Sequence, residues 1–153
     1  MKFPEILNEK RTMLIGIDVC HSGPNSIVGF SASTNKEMSQ YYSEHIVQKK
    51  GQEIVQANMK DALKKAINVF EERNKDYPTN FIIFRDGVGD AMRDQVLATE
   101  IPQFEQAIIE MYNKASEKPQ ITIVVVNKRI TQRFFVKDGQ GRLRNPPSGC
   151  IID

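Results

Sequence analysis

At 153 residues the chain is long enough for one domain with its own hydrophobic core, and its 40% apolar and 26% charged residues are those of an ordinary globular protein. No apolar run approaches the ~18 residues of a membrane span, so no membrane partner is expected, and the opening MKFPEILNEKRTM lacks the apolar stretch of a secretory signal. A net charge of +2 points to no particular partner.

The elements follow in chain order. Thr12 to Val19 (TMLIGIDV) is a short, nearly continuous apolar run of the kind that suits a strand covered on both faces. HSGPNS is turn chemistry. SIVGFSAS (26–33) reads as a second strand with Val28, Phe30 and Ala32 on one side, and 38–48 as a third. After Gly51 the period becomes helical: Val55, Met59, Ala62 or Leu63, Ala66, Ile67 and Phe70 form a stripe. This predicts a helix from about Gln52 to Arg73 that stops before Asp76-Tyr77-Pro78. FIIF (81–84) is the fourth strand. Gly89-Asp90 opens a second helical stretch, with Asp90 as its N-cap. That stretch is interrupted near Ile101-Pro102, where proline can start a new helix running to about Ala115. ITIVVV (121–126) reads as a fifth, fully buried strand, and a basic stretch rich in Gly and Pro follows. The order β-β-β-α-β-α-β predicts an α/β domain: a mixed five-stranded sheet with helices on its faces, the order of a ribonuclease H-like fold.

Asp18 closes the first strand and Asp86 the fourth. If helix crossovers place these strands side by side and parallel, the two acids become neighbours, because adjacent strands lie ~4.8 Å apart. Carboxylate oxygens are the donors that hard cations such as Mg²⁺ or Mn²⁺ require, and paired ions in phosphoryl-transfer sites sit ~3.5–4 Å apart. The plain alternative is that both acids are turn formers or caps. Other chemistries can be pruned. There is no G-x-x-x-x-G-K-[ST] and no G-x-G-x-x-G after the first strand, so neither a nucleotide triphosphate nor a nicotinamide cofactor is expected. Residues 18–22 read DVCHS, with cysteine where an adhesion-type metal site needs its first serine. A Cys20-His21 nucleophile is possible on paper, but a buried thiol beside a loop imidazole is the simpler reading. Cys20 and Cys150 form no C-x-x-C pair, so free thiols in a reducing compartment, cytoplasm or nucleus, are expected. From Lys118 to Arg144 seven Lys/Arg accompany one acid, Asp138, which permits an anionic ligand there.

TMLIGIDVCH, SIVGFSAS, QKKGQEIV, FIIFRDGVGD, EIPQF, ITIVVVNKR, TQRFF and NPPSGCIID together resemble the Piwi domain of Argonaute-type proteins. CHSGPNS, RDGVGD and EIPQF are similar to the Piwi branch in particular. The resemblance runs from Thr12 to Asp153, in order, after a leading segment 1–11. It implies a ribonuclease H-like domain that holds a small guide RNA and, with Mg²⁺ or Mn²⁺, cuts a paired target RNA in gene silencing. By family pattern Asp18 and Asp86 match two catalytic, metal-binding acids, and Glu53 in GQEIV matches a third, mobile one. Residue pattern alone does not separate Glu53 from Glu37 or Glu44, and an acid in the first turn of a helix also satisfies the helix dipole. Lys128, Arg129 and Arg133 match a basic stretch that approaches the guide–target backbone. Cutting members carry a fourth ligand, usually histidine, downstream of the segment that GCIID matches. The chain is therefore expected to be a C-terminally incomplete Piwi domain whose slicing belongs to a full-length context. The alternatives are a non-catalytic module binding guide and target RNA, or a truncated piece without slicer activity.

Overall fold

A computed structural model describes residues 11–113, 118–127 and 131–151, apart from the side chain of Asp90. The first strand, β1 (Thr12–Cys20), is antiparallel to β2 (Asn25–Ser33), which is antiparallel to β3 (Tyr41–Lys49). A helix, α1 (Met59–Asn74), then crosses to β4 (Asn80–Asp86), which lies parallel to β1. A 3₁₀ turn (Asp90–Met92) and two helices, α2 (Arg93–Thr99) and α3 (Ile101–Met111), lead to β5 (Gln120–Val126), parallel to β4. The sheet order is β3-β2-β1-β4-β5, the expected mixed sheet. Beyond it, β6 (Val136–Lys137) and β7 (Leu143–Arg144) form a small hairpin in the stretch read from sequence only as basic and rich in Gly and Pro. Asp138 staples its turn, accepting the N–H groups of Gln140 and Arg142 at 2.9 Å and Arg144 Nε at 2.7 Å.

One face of the sheet carries the core. Met13, Ile15, Ile17 and Val19 of β1, Val28, Phe30 and Ala32 of β2, and Phe81 and Ile83 of β4 all point to it. Against them pack Met59, Leu63, Ala66, Ile67 and Phe70 of α1 and Phe104, Ala107 and Ile108 of α3. The other face is more open: Gly16, Asp18 and Phe84 are exposed. Thus β1 alternates rather than being covered on both faces. Likewise β5 is not fully buried; among the described residues it is an edge strand, and every second residue from Gln120 to Val124 is exposed. Continuous apolar runs suit both situations, which is why pattern alone overstated the burial.

The helix boundaries also differ. Residues 52–58 are not helical, and α1 begins at Met59 after Asn58 in a left-handed conformation. The Val55 N–H and carbonyl bond to the Glu100 and Gln103 side chains instead of to a helical ladder. The helix after Ile101 starts with Pro102 in its first turn, as read from sequence. Asp90 opens the 3₁₀ turn, and α2 has Met92 at its N-cap position, so Asp90 does not cap it. Ala115 and, except for Arg11, the leading segment 1–11 lie outside the described residues. No helix among the described residues is long and apolar enough to cross a membrane.

Phe70 is the last buried residue of α1 and is fully buried in the core. Phe70→Ala should therefore cost about 3–5 kcal/mol in chemical denaturation of the chain. A loss below about 1 kcal/mol would place the core elsewhere.

Candidate active site

The parallel register of β1 and β4 pairs Gly16 with Phe84 and Ile17 with Arg85. The next position on each strand is Asp18 and Asp86, so the two acids emerge side by side at the carboxyl end of the sheet. Both line an open depression of about 500 Å³ that Gly16, Gly29, Ser31, Ser43 and Phe84 also border. Asp18 Oδ1 accepts the Val19 N–H at 3.0 Å.

Glu53 reaches the same place from the loop after β3. Gly87, with φ +84°, follows Asp86 directly, and a Cβ there would lie 2.9 Å from Glu53 Oε1 and 3.9 Å from Asp18 Oδ1. Only a bare Cα lets the Glu53 carboxylate approach the turn this closely. Glu37 and Glu44, the other acids that the pattern allowed, are engaged elsewhere. Glu37 accepts Asn35 Nδ2 at 2.8 Å in an exposed turn. Glu44 borders the depression but accepts Lys65 Nζ at 2.6 Å and the Tyr42 hydroxyl at 2.5 Å. The Lys65 hydrogen bond, then that from Tyr42, holds its carboxyl below the usual range.

Two side chains hold Glu53. Arg85 has an inward position on β4, in line with Phe81 and Ile83, and its side chain is 1% exposed. Its Nη1 donates to Glu53 Oε1 at 3.1 Å and its Nη2 to the Glu53 carbonyl at 2.7 Å. Its Nε and Nη2 donate to the two carboxylate oxygens of buried Glu100 at 3.0 and 3.1 Å. Nη1 also donates to the Asp86 carbonyl. Burial works against the guanidinium charge, but the bonds to Glu100 and Glu53 outweigh it and leave the pKa above its ordinary value. On the other side His21 Nε2 lies 2.9 Å from Glu53 Oε2, and its Nδ1 lies 2.8 Å from Ser26 Oγ. Ser26 Oγ in turn accepts the Gly51 N–H at 2.9 Å. An imidazole protonated on Nε2 satisfies all of these contacts at once.

Glu53 therefore sits on an irregular loop and not at a helix start, and a role in the helix dipole falls away. His21 is a loop imidazole, as read, but a bonded one. Cys20 is exposed, not buried, and both cysteines are free thiols. Sequence reasoning gave no role to Arg85 or Glu100 and read His21 only as a loop imidazole. Arg85 carried a usable signal: an arginine at an inward strand position demands a buried acid, and EIPQF offers one.

The donor chemistry fits a hard cation in that oxygen ligands from two adjacent strands face one depression. Among the described residues, however, no three His, Cys, Asp or Glu side chains are close enough to enclose a metal ion. Of the basic residues, Arg133 is exposed, and Lys128 and Arg129 lie outside the described residues. Val126 pairs with Asp86, so the chain leaves β5 toward this basic stretch at the same end of the sheet as the acids.

At Gly87 a side chain meets both a positive φ and Glu53. Gly87→Ala should lower stability by about 1–3 kcal/mol and shift the resonances of Glu53. Unchanged Glu53 signals would mean that the carboxylate does not rest against this turn.

A family model for the Piwi domain matches residues 1–153. Piwi-like protein 1 of Gallus gallus is 40% identical over 150 residues, which cover 94% of this chain and 16% of that relative. The chain thus spans about a sixth of the length of such curated relatives. Among solved structures, the C-terminal lobe of a budding yeast Argonaute superposes with a TM-score of 0.72 at 23% identity, over 86% of this chain and 28% of that one. Kluyveromyces polysporus Argonaute, solved with a guide RNA, gives 0.69 at 22% identity, over 86% and 16%. These likenesses carry the ribonuclease H-like fold. With its sheet order, its strand-end acids and this match, the chain belongs to the Piwi domain family.

Proposed function

We propose that this Piwi domain binds target RNA paired to a small guide RNA and, within a full-length protein, contributes the acids that cleave the target with Mg²⁺ or Mn²⁺. The observation that supports this most is the parallel pairing of β1 and β4, which sets Asp18 and Asp86 at neighbouring strand ends, with Glu53 Oε1 against the turn at Gly87. When bound, such cations supply the positive charge that activates water for in-line attack and stabilises the departing 3′ oxygen. Asp18 and Asp86 would hold them, each presenting carboxylate oxygens from the end of its strand. Glu53 would complete the set, aimed by Arg85 and His21. Lys128, Arg129 and Arg133 would contact phosphates, which adds affinity without sequence choice; pairing to the guide supplies specificity. The guide RNA in the Kluyveromyces polysporus Argonaute structure supports an RNA partner.

A second reading, a guide-binding module that does not cut, draws support from the lack of an enclosed three-ligand cluster among the described residues. Cleavage separates the two. In a full-length Piwi-like protein, Asp18→Ala, Asp86→Ala or Glu53→Ala should each slow cutting of a guide-matched RNA. The loss should be at least the ~10–100-fold seen when an outer-shell partner of a metal site is removed, with guide loading intact. Undiminished cutting by the variants would sink the site assignment. A parent that never cuts yet loads guide would favour the binding module. Arg133→Ala should weaken RNA binding across sequences and reduce the slope of log K against log salt by about one; an unchanged slope would remove Arg133 from the interface.

A further inference from the structure

We infer that Glu100 and Gln103, at the elbow between α2 and α3, are positioning residues that fix the Glu53 loop to the end of the sheet. The inference rests on the reading of Glu53 as the third acid.

Residues 52–58 form neither helix nor strand, yet Ile54 and Val55 within them are buried. A buried irregular loop must find partners for its backbone polar groups outside itself. Those partners come from the elbow. The Val55 N–H donates to Glu100 Oε1 at 2.8 Å. Gln103 Nε2 donates to the Val55 carbonyl at 2.8 Å, and Gln103 Oε1 accepts the Met59 N–H at 3.1 Å. The Glu53 carbonyl is held by Arg85, whose guanidinium is itself bonded to both oxygens of Glu100. Ile54 packs against Val88 and against Val96 of α2.

The elbow is rigid for its own reasons. Gln103 Nε2 also donates to the Thr99 carbonyl at 3.0 Å, the Gln103 N–H donates to the Glu100 carbonyl at 3.1 Å, and Glu100 is 1% exposed. One carboxylate thus neutralises the guanidinium that grips Glu53 and also accepts the amide two residues beyond it. Gln103 holds the carbonyl of that same residue, Val55. The position of Glu53 is consequently set by a segment about fifty residues later in the chain.

Glu100 variants would strip a buried guanidinium of its one fully buried carboxylate partner and risk unfolding, so the decisive variant is Gln103→Met. It keeps side-chain length and the Arg85–Glu100 pair but removes the clamp. In the 153-residue chain, hydrogen exchange at Met59, which loses its acceptor, and at Val55 should rise ~tenfold, the effect of one lost hydrogen bond. Exchange at Ile15 and Ile83 should stay unchanged. In a full-length Piwi-like protein the same substitution should raise the Mn²⁺ concentration for half-maximal cleavage ~10–100-fold. Cutting should recover at saturating metal, with guide loading unaffected; a merely structural loss would lower loading and cutting together. A loosened loop with normal metal dependence, or unchanged exchange at Val55 and Met59, would overturn the inference. Glu53→Ala is the control. If it abolishes cutting while Gln103→Met leaves metal dependence intact, only the positioning role fails; if Glu53→Ala cuts normally, the reading of Glu53 fails and the positioning role with it.

Discussion

The buried guanidinium of Arg85 is the constraint around which this end of the domain is arranged. A charge with 1% exposure costs far more than packing returns unless its donors are met. Five donor bonds to Glu53, Glu100 and the Asp86 carbonyl meet them. Because a well-packed apolar residue could fill the same space without that cost, such a pair is weak evidence for stability as such. What it provides is placement. One side chain touches the loop after β3, the strand end that bears Asp86, and the elbow of the following helices.

Strand parity makes this possible. Arg85 faces inward and Asp86 outward on β4, while Ile17 and Asp18 repeat that alternation on β1. A one-residue slip between β1 and β4 would move every side chain of one strand to the opposite face. The core residues Ile15, Ile17, Phe81 and Ile83 therefore specify the register that sets Asp18 beside Asp86. Glu53 is not fixed by strand pairing. It is fixed by ion pairing and by hydrogen bonds to its loop, which can be remade more readily than a packed strand.

Much of the strand layout was legible in the residues. The alternation in SIVGFSAS, the run FIIF and the proline after Ile101 located elements to within a residue or two. The adjacency of Asp18 and Asp86 followed from strand order once β1 and β4 were parallel neighbours. The start of α1 was not legible. Val55 fits the helical stripe, but its N–H and carbonyl bond to Glu100 and Gln103, some forty-five residues away. No local pattern encodes that. Apolar runs likewise cannot separate a central strand from an edge one, so β5 looked more buried than it is. Glu53 was singled out by family resemblance alone. The physical signal that would have found its partners, an inward-facing arginine in need of an acid, sat one residue before Asp86.

Paramagnetic broadening of this chain by Mn²⁺ tests the central claim most directly, because it reports where a cation binds without requiring catalysis. Selective broadening of Asp18, Asp86 and Gly87, lost in Asp86→Ala, is the expected result. Broadening centred on the exposed acids of α1 or α3, or none at any Mn²⁺ concentration the protein tolerates, would contradict the assignment of these strand-end acids as a metal site.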